Sequence, residues 1–238
     1  MIDENSRTNR PQALIIGASR GLGLGLVKEY LERGWQVTAT VRSGGMPEAL
    51  RELMASHAND LRVEQADINQ SNTIGELKHR IGHSTFDLLF VNAGISRGAA
   101  DNASTISTED FVDVMVTNAL SPMKVITTLY DGLKLEGTVA VMSSNLASVA
   151  NNTVGQWEVY RASKASLNTL IRSFAARHSG DGCTYLCISP GWVRTDMGTD
   201  AAPLDVATSV KEIFDTVKAR KGTGGVHFVD YLNAPIQW

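Results

Sequence analysis

Two patterns of apolar positions alternate along this chain. Short runs rich in Val, Ile and Leu read as strands at residues 13–16, 36–41, 61–65, 88–91, 139–142, 184–188 and 226–229. Several are continuously apolar, as expected when both faces of a strand are covered. Longer stretches with helical periodicity lie between them, at 22–33, 47–57, 72–81, 109–133, 159–178 and 204–219. In the fifth of these, Leu167, Leu170, Ile171 and Phe174 follow the i, i+3, i+4, i+7 spacing of an apolar helix face. Strand–helix alternation of this kind predicts an α/β, Rossmann-like fold. Its parallel, doubly wound, seven-stranded sheet would carry helices on both faces, joined by right-handed crossovers. No linker or repeat divides the pattern, so residues 1–238 read as one dinucleotide-binding domain, with residues 1–10 as a flexible N-terminal extension.

Composition narrows the class. The 238 residues are 43% hydrophobic and 20% charged, enough to bury a core and too apolar for disorder. Net charge is −3 and no basic tract occurs, which argues against a nucleic-acid partner. Apolar runs fall far short of the ~20 residues that span a bilayer, and the polar start from Met1 to Arg10 lacks the core of a signal peptide. The expectation is a cytoplasmic protein with no membrane partner, free to form a homo-oligomer. Cys183 and Cys187, four apart on a predicted strand, would lie ~13 Å apart at ~3.3 Å per residue, too far for a disulfide. They read as buried small hydrophobes. The five histidines show no metal-ligand spacing, so no metal is expected.

The first strand runs into Gly17-Ala18-Ser19-Arg20-Gly21-Leu22-Gly23, and a helix follows. Glycine permits the tight turn, and a helix N-terminus offers free N–H groups to a pyrophosphate. NAD sites place an acid about 20 residues after the glycines to bond the ribose 2′-OH. That region here reads Thr40-Val41-Arg42-Ser43 and carries no acid. Arg20 and Arg42 can instead fork onto a 2′-phosphate, so NADP(H) is expected, with NAD less favoured.

Tyr160 and Lys164 share one helix face, four residues apart. A nearby ammonium favours the phenolate, so Lys164 can bring Tyr160 from its reference pKa of about 10 toward working range. Ser143 and Ser144 end the fifth strand, at the sheet edge where open α/β sheets bind ligands. Asn118 is a polar residue inside an apolar helical run.

With these residues in place, the chain resembles the short-chain dehydrogenase/reductase family over nearly its whole length. Besides the glycine loop, the matching segments are Asp67-Ile68, Asn92-Ala93-Gly94, Asn118, the Ser143-Ser144 strand end, Tyr160-Arg161-Ala162-Ser163-Lys164 and Pro190-Gly191-Trp192-Val193-Arg194-Thr195. Within the family it is similar to the carbonyl-reductase group that includes the bacterial C-factor. The resemblance implies an NADP-dependent enzyme interconverting a small-molecule carbonyl and alcohol. Tyr160 would move the proton, Lys164 would bond the nicotinamide ribose, Ser144 would hold the substrate oxygen, and Asn118 would support a water leading to Lys164. Asp67 and Ile68 would border the adenine, Asn92, Ala93 and Gly94 the adenosine side, and Pro190, Gly191, Val193 and Thr195 the nicotinamide.

Two departures stand out. Many members carry the serine about a dozen residues before the tyrosine. Ser148 has that spacing, whereas Ser144 lies at the strand end; Ser144 is preferred, with the loop at 145–157 absorbing the difference. The segment after Met197 is also short for a substrate lid, which predicts an open pocket or one closed by residues 151–157. Trp157 and Trp192 flank the site as candidate substrate-binding residues, with packing a close alternative. The competing function is a dinucleotide-binding sensing or signalling protein of the C-factor type. A pure binder has no need of Ser144, Tyr160, Lys164 and Asn118 together.

Overall fold

The computed structural model describes residues 10–42, 44–98 and 102–238. In chain order the elements are β1 (Gln12–Ile16), α1 (Gly21–Glu32), β2 (Gln36–Val41), α2 (Glu48–Ser56), β3 (Leu61–Gln65), α3 (Ser71–Ile81), β4 (Phe86–Val91), α4 (Thr108–Met115), α5 (Ser121–Leu129), β5 (Leu133–Met142), α6 (Glu158–Arg177), β6 (Thr184–Ser189), α7 (Val206–Arg220) and β7 (Gly225–Asp230). The strands form one parallel sheet in the order β3-β2-β1-β4-β5-β6-β7. Strand order reverses between β1 and β4, and the crevice at their carboxyl ends is the ligand position of a doubly wound sheet.

Each face of the sheet has its own core. Leu26, Val27 and Tyr30 of α1, Leu50 of α2, and Val210, Ile213 and Phe214 of α7 cover one face. Ile74 and Leu77 of α3, Val125, Ile126 and Leu129 of α5, and Leu167, Ile171 and Phe174 of α6 cover the other. Trp35 packs edge-on against Tyr30 and Phe214 in the first layer. Cys183 and Cys187 are free and buried.

Three local expectations change. The helix expected over 109–133 is interrupted by a π-helical turn at Val116–Leu120, and its α-helical part ends at Leu129. β5 starts at Leu133 rather than 139, with a register shift against β4 that absorbs the polar stretch before Gly137. On α6, Leu170 turns outward and Asn168 takes its place on the buried face. An outward Leu170 and an inward Asn168 rotate the core stripe by about one position from the one that periodicity predicts. Residues 1–9 of the expected extension lie outside the described residues. Arg10 is held, its Nη1 2.6 Å from Asp60 Oδ1 and its Nε donating to the Gly34 carbonyl.

Candidate active site

The phosphate loop is built by close packing between β1, β2 and β4. Gly17 has φ +86°, and a Cβ there would lie 2.8 Å from the Ala93 Cβ. Gly17 N–H donates to Thr40 Oγ1 at 3.0 Å, and Asn92 Nδ2 donates to the Gly17 carbonyl at 2.8 Å. A Cβ on Gly23 would collide with that same carbonyl, at 2.0 Å. Asn92 therefore braces the loop, a role that spacing alone did not reveal. At the start of α1 no side chain caps the helix and no acid sits in the first turn. Those free N–H groups suit an anionic ligand. Ser19 and Leu22 sit in this same turn.

The two arginines differ in setting. Arg42 stands exposed just past the end of β2. Arg20, also exposed, ion-pairs with Asp196 on the segment after β6, so the loops on either side of the crevice touch there. Gly21 faces the Thr195 methyl on the same segment. Asp67 Oδ1 accepts from Asn69 N–H at 3.0 Å, and Ile68 is buried beside it.

The reacting residues converge from β4, the π-helical turn, β5 and α6. Lys164 is 3% exposed and its Nζ donates to the Met142 carbonyl at 2.8 Å. Nζ lies 5.8 Å from the Tyr160 ring centroid. A Cβ on Gly94 would stand 3.1 Å from Lys164 Nζ and 3.2 Å from Asn118 Oδ1, so glycine keeps this corner open. Asn118 is fully buried. Its Oδ1 accepts from Ile95 N–H, and its Nδ2 donates to the Ile95 carbonyl and Ser163 Oγ. These bonds use both side-chain N–H donors and hold the amide in place. Pro122, lacking an N–H, cannot close the α-helical bond to the Asn118 carbonyl. The π-helical turn thus leaves that carbonyl without its α-helical donor.

Ser144 and Ser148 have different tasks. Ser144 Oγ accepts from Leu146 N–H at 3.1 Å, which leaves its own proton to donate, and its hydroxyl stands near enough to Tyr160 to favour the phenolate. Ser148 is buried and accepts from Asn151 N–H at 3.1 Å, capping the turn that follows.

Burial dominates the electrostatics. Tyr160 is pushed up to about 12 by burial, opposed by the Ser144 hydrogen bond. Lys164 is pushed down to about 8 by burial, opposed by the neighbouring Cys187 thiol. The sequence expectation that Lys164 lowers the Tyr160 pKa does not hold for the protein alone. The ammonium bonds the Met142 carbonyl rather than the phenol, and burial of the phenol dominates.

The segment after β6 is stapled shut on itself. Val193 pairs with Leu204, Arg194 Nη1 bonds the carbonyls of Ala202 and Pro203, and Gly198 N–H donates to Thr195 Oγ1. Gly191 has φ +80°, and a Cβ there would meet Leu204 at 2.5 Å. The Pro190 carbonyl accepts from Ser209 Oγ, which ties the segment to α7. Trp192 is exposed, its Nε1 donating to the Gly198 carbonyl. Trp157 is half-buried at φ +63°, its ring centroid 6.1 Å from that of Tyr160. Val149, Val154 and Met197 on the same two loops are also exposed, an apolar rim that sequence reading missed. Among the described residues no His, Cys, Asp or Glu cluster could hold a metal ion, and no helix is long and apolar enough to cross a membrane.

This arrangement matches known proteins. Residues 11–204 fit the family model of short chain dehydrogenases. A short-chain dehydrogenase/reductase from Burkholderia multivorans, solved with bound NADP, superimposes with a TM-score of 0.94 at 43% identity, covering 96% of this chain and 100% of that one. A Pseudomonas aeruginosa carbonyl reductase in complex with NADP gives 0.89 at 35% identity, covering 97% and 100%. The C-signal protein of Myxococcus xanthus is 32% identical over 154 residues, 64% of this chain and 92% of that protein. The chain belongs to the short-chain dehydrogenase/reductase family of oxidoreductases.

Proposed function

We propose that the protein is an NADP(H)-dependent oxidoreductase that interconverts a small-molecule carbonyl and an alcohol, with Tyr160 as the acid–base group. The observation that carries this is the meeting of Ser144, Tyr160 and Lys164 at the sheet edge beside an uncapped phosphate-type helix start. When bound, NADPH supplies the hydride. Its phosphates fit the turn of Gly17, Ser19, Arg20, Gly21, Leu22 and Gly23, with Arg42 available to a 2′-phosphate. Asp67, Ile68, Asn92, Ala93 and Gly94 would line the adenosine side. Pro190, Gly191, Val193 and Thr195 would line the other end, where Lys164 would bond the ribose.

The chemistry of the chain follows from charge. Negative charge builds on the carbonyl oxygen as it is reduced. Tyr160, protonated at neutral pH because burial raises it to about 12, donates its proton there; such a positioned acid contributes ~10²–10⁴-fold. Ser144 donates a hydrogen bond to the same oxygen. Lys164 resupplies Tyr160, and a water on the Asn118 carbonyl resupplies Lys164. Trp157 and Trp192, with Val149, Val154 and Met197, present an apolar wall to the substrate. A signalling role alone would leave this buried, desolvated lysine without a use.

The test is an NADPH-oxidation screen over aldehydes, ketones, quinones and 3-oxoacyl thioesters, run with wild type, Ser144→Ala and Ser148→Ala. Turnover with at least one class is expected, cut ~10²–10³-fold by Ser144→Ala, the usual cost of losing one such donor. Ser148→Ala should cost far less. Greater damage from Ser148→Ala would assign the oxygen-binding role to Ser148.

A further inference from the structure

Three consecutive residues at the end of β5 each meet a residue of α6, and the three α6 residues are spaced four apart. Ser144 faces Tyr160, the Met142 carbonyl accepts from Lys164, and Ser143 Oγ donates to Asn168 Oδ1 at 2.7 Å. Residues at this spacing line one helix face. The first two ties belong to the reacting residues. The third lies one helical turn further along α6, with Ser143 1% and Asn168 3% exposed. Ser143 is itself fixed on the sheet, its N–H donating to the Ile188 carbonyl of β6 at 2.8 Å.

We propose that the Ser143–Asn168 hydrogen bond is a positioning element of the active site, holding α6 against the end of β5 so that Tyr160 meets Ser144 and Lys164 meets Met142. The proposal rests on those residues being the reacting set. Apart from Ser163, which accepts from Asn118 nearer the helix start, the rest of this helix face is hydrocarbon: Leu167, Ile171 and Phe174. Apolar contact is non-directional and tolerates small sliding or rotation, whereas a hydrogen bond weakens steeply with distance and angle. Asn168 also carries a cost that a leucine would not. Its Nδ2 is buried with no partner among the described residues. A buried amide that satisfies only its acceptor adds little to stability, and geometric control is what its acceptor end supplies.

Asn168 and Ser143 touch neither substrate nor cofactor in this account, so their effect must pass through Lys164 and Tyr160. The direct readout is the titration of the Lys164 amine in the cofactor-free full chain, by NMR of lysine labelled at Cε and assigned by its loss in Lys164→Met. Alongside it go kcat and its pH profile with NADPH and 4-nitrobenzaldehyde as the probe, NADPH Kd, and melting temperature. The variants are Ser143→Ala, Asn168→Leu, their double, and Ser143→Thr, which keeps the hydroxyl.

The wild-type midpoint should lie near 8. Ser143→Ala and Asn168→Leu should each move it toward the ordinary lysine value and lower kcat by about tenfold to 10²-fold, the scale of a remote misplacement. NADPH Kd should stay within about twofold. The double variant should be no worse than the singles, because both break one bond, and Ser143→Thr should resemble wild type. If Asn168→Leu fails to fold, Ser143→Ala, which removes one oxygen, carries the test. Unchanged Lys164 titration in Ser143→Ala, or additive losses in the double, overturns the proposal. If Tyr160→Phe still abolishes turnover, only the proposal has failed; if Tyr160→Phe is active, the catalytic assignment beneath it has failed.

Discussion

Lys164 sits where a lysine costs stability. Its ammonium is 3% exposed, bonds a carbonyl and has no carboxylate partner among the described residues. Burial lowers its pKa from 10.5 to about 8. Between those values the unfolded chain holds the proton more often than the folded one, so stability rises with pH through that window and the full cost is present below it. Lys164→Met should therefore stabilise the protein at pH 7, by at most about 3 kcal/mol at ~1.4 kcal/mol per pKa unit. The gain should shrink as pH climbs from about 8 toward 10.5. Melting curves of both proteins at pH 6.5 and 9.5 check this; a less stable Met variant at pH 6.5, or a gap indifferent to pH, would contradict it. Tyr160, Lys164 and Ser144 were legible in the sequence because a fixed spacing on a helix and a strand end locates them. The Ser143–Asn168 tie was not, since it joins elements that only the fold brings together. Its one trace was Asn168, a polar residue directly after Leu167 on the stripe that continues to Ile171. The Tyr160 pKa was misjudged because desolvation cannot be read from spacing.

Among the elements, the seven strands were legible from apolar runs and the helices from periodicity. The π-helical turn was not. One extra residue in a helix changes no composition, and Pro122 in the run was the only hint of a break. β5 was read short because its first residues mix Lys134 and Glu136 with leucines. The end of β2 and the start of α1 carry the prediction for cofactor choice. Arg42 is exposed at one, and Arg20 at the other is ion-paired with an exposed Asp196. NADPH should bind more tightly than NADH, and Arg42→Ala should narrow the difference by about 1.5–3 kcal/mol, the worth of a charged hydrogen bond. Titration of both cofactors against wild type and variant decides it. Equal affinities in wild type, or an undiminished preference in Arg42→Ala, would remove Arg42 from the site.

In the whole molecule, the site exists because one sheet edge collects four loops that are remote in sequence. The reversal of strand order between β1 and β4 opens the crevice, and the glycine turn and Asn92 brace its floor. α6 brings Tyr160 and Lys164 to the next strand end, and the stapled segment after β6 closes the far side. Arg194 and the Val193–Leu204 pairing hold that segment, and exposed apolar side chains on both it and the loop at 145–157 stand at its rim. The central claim is that this assembly reduces a carbonyl with Tyr160 as proton donor. Its most direct test is Tyr160→Phe, which keeps the ring against Trp157 and removes only the hydroxyl. NADPH fluorescence titration and turnover of the best carbonyl substrate should be measured on the same preparation. The account predicts NADPH binding near the wild-type value with reduction lost by ~10²-fold or more. Reduction at a near wild-type rate by folded, NADPH-binding Tyr160→Phe protein would contradict it.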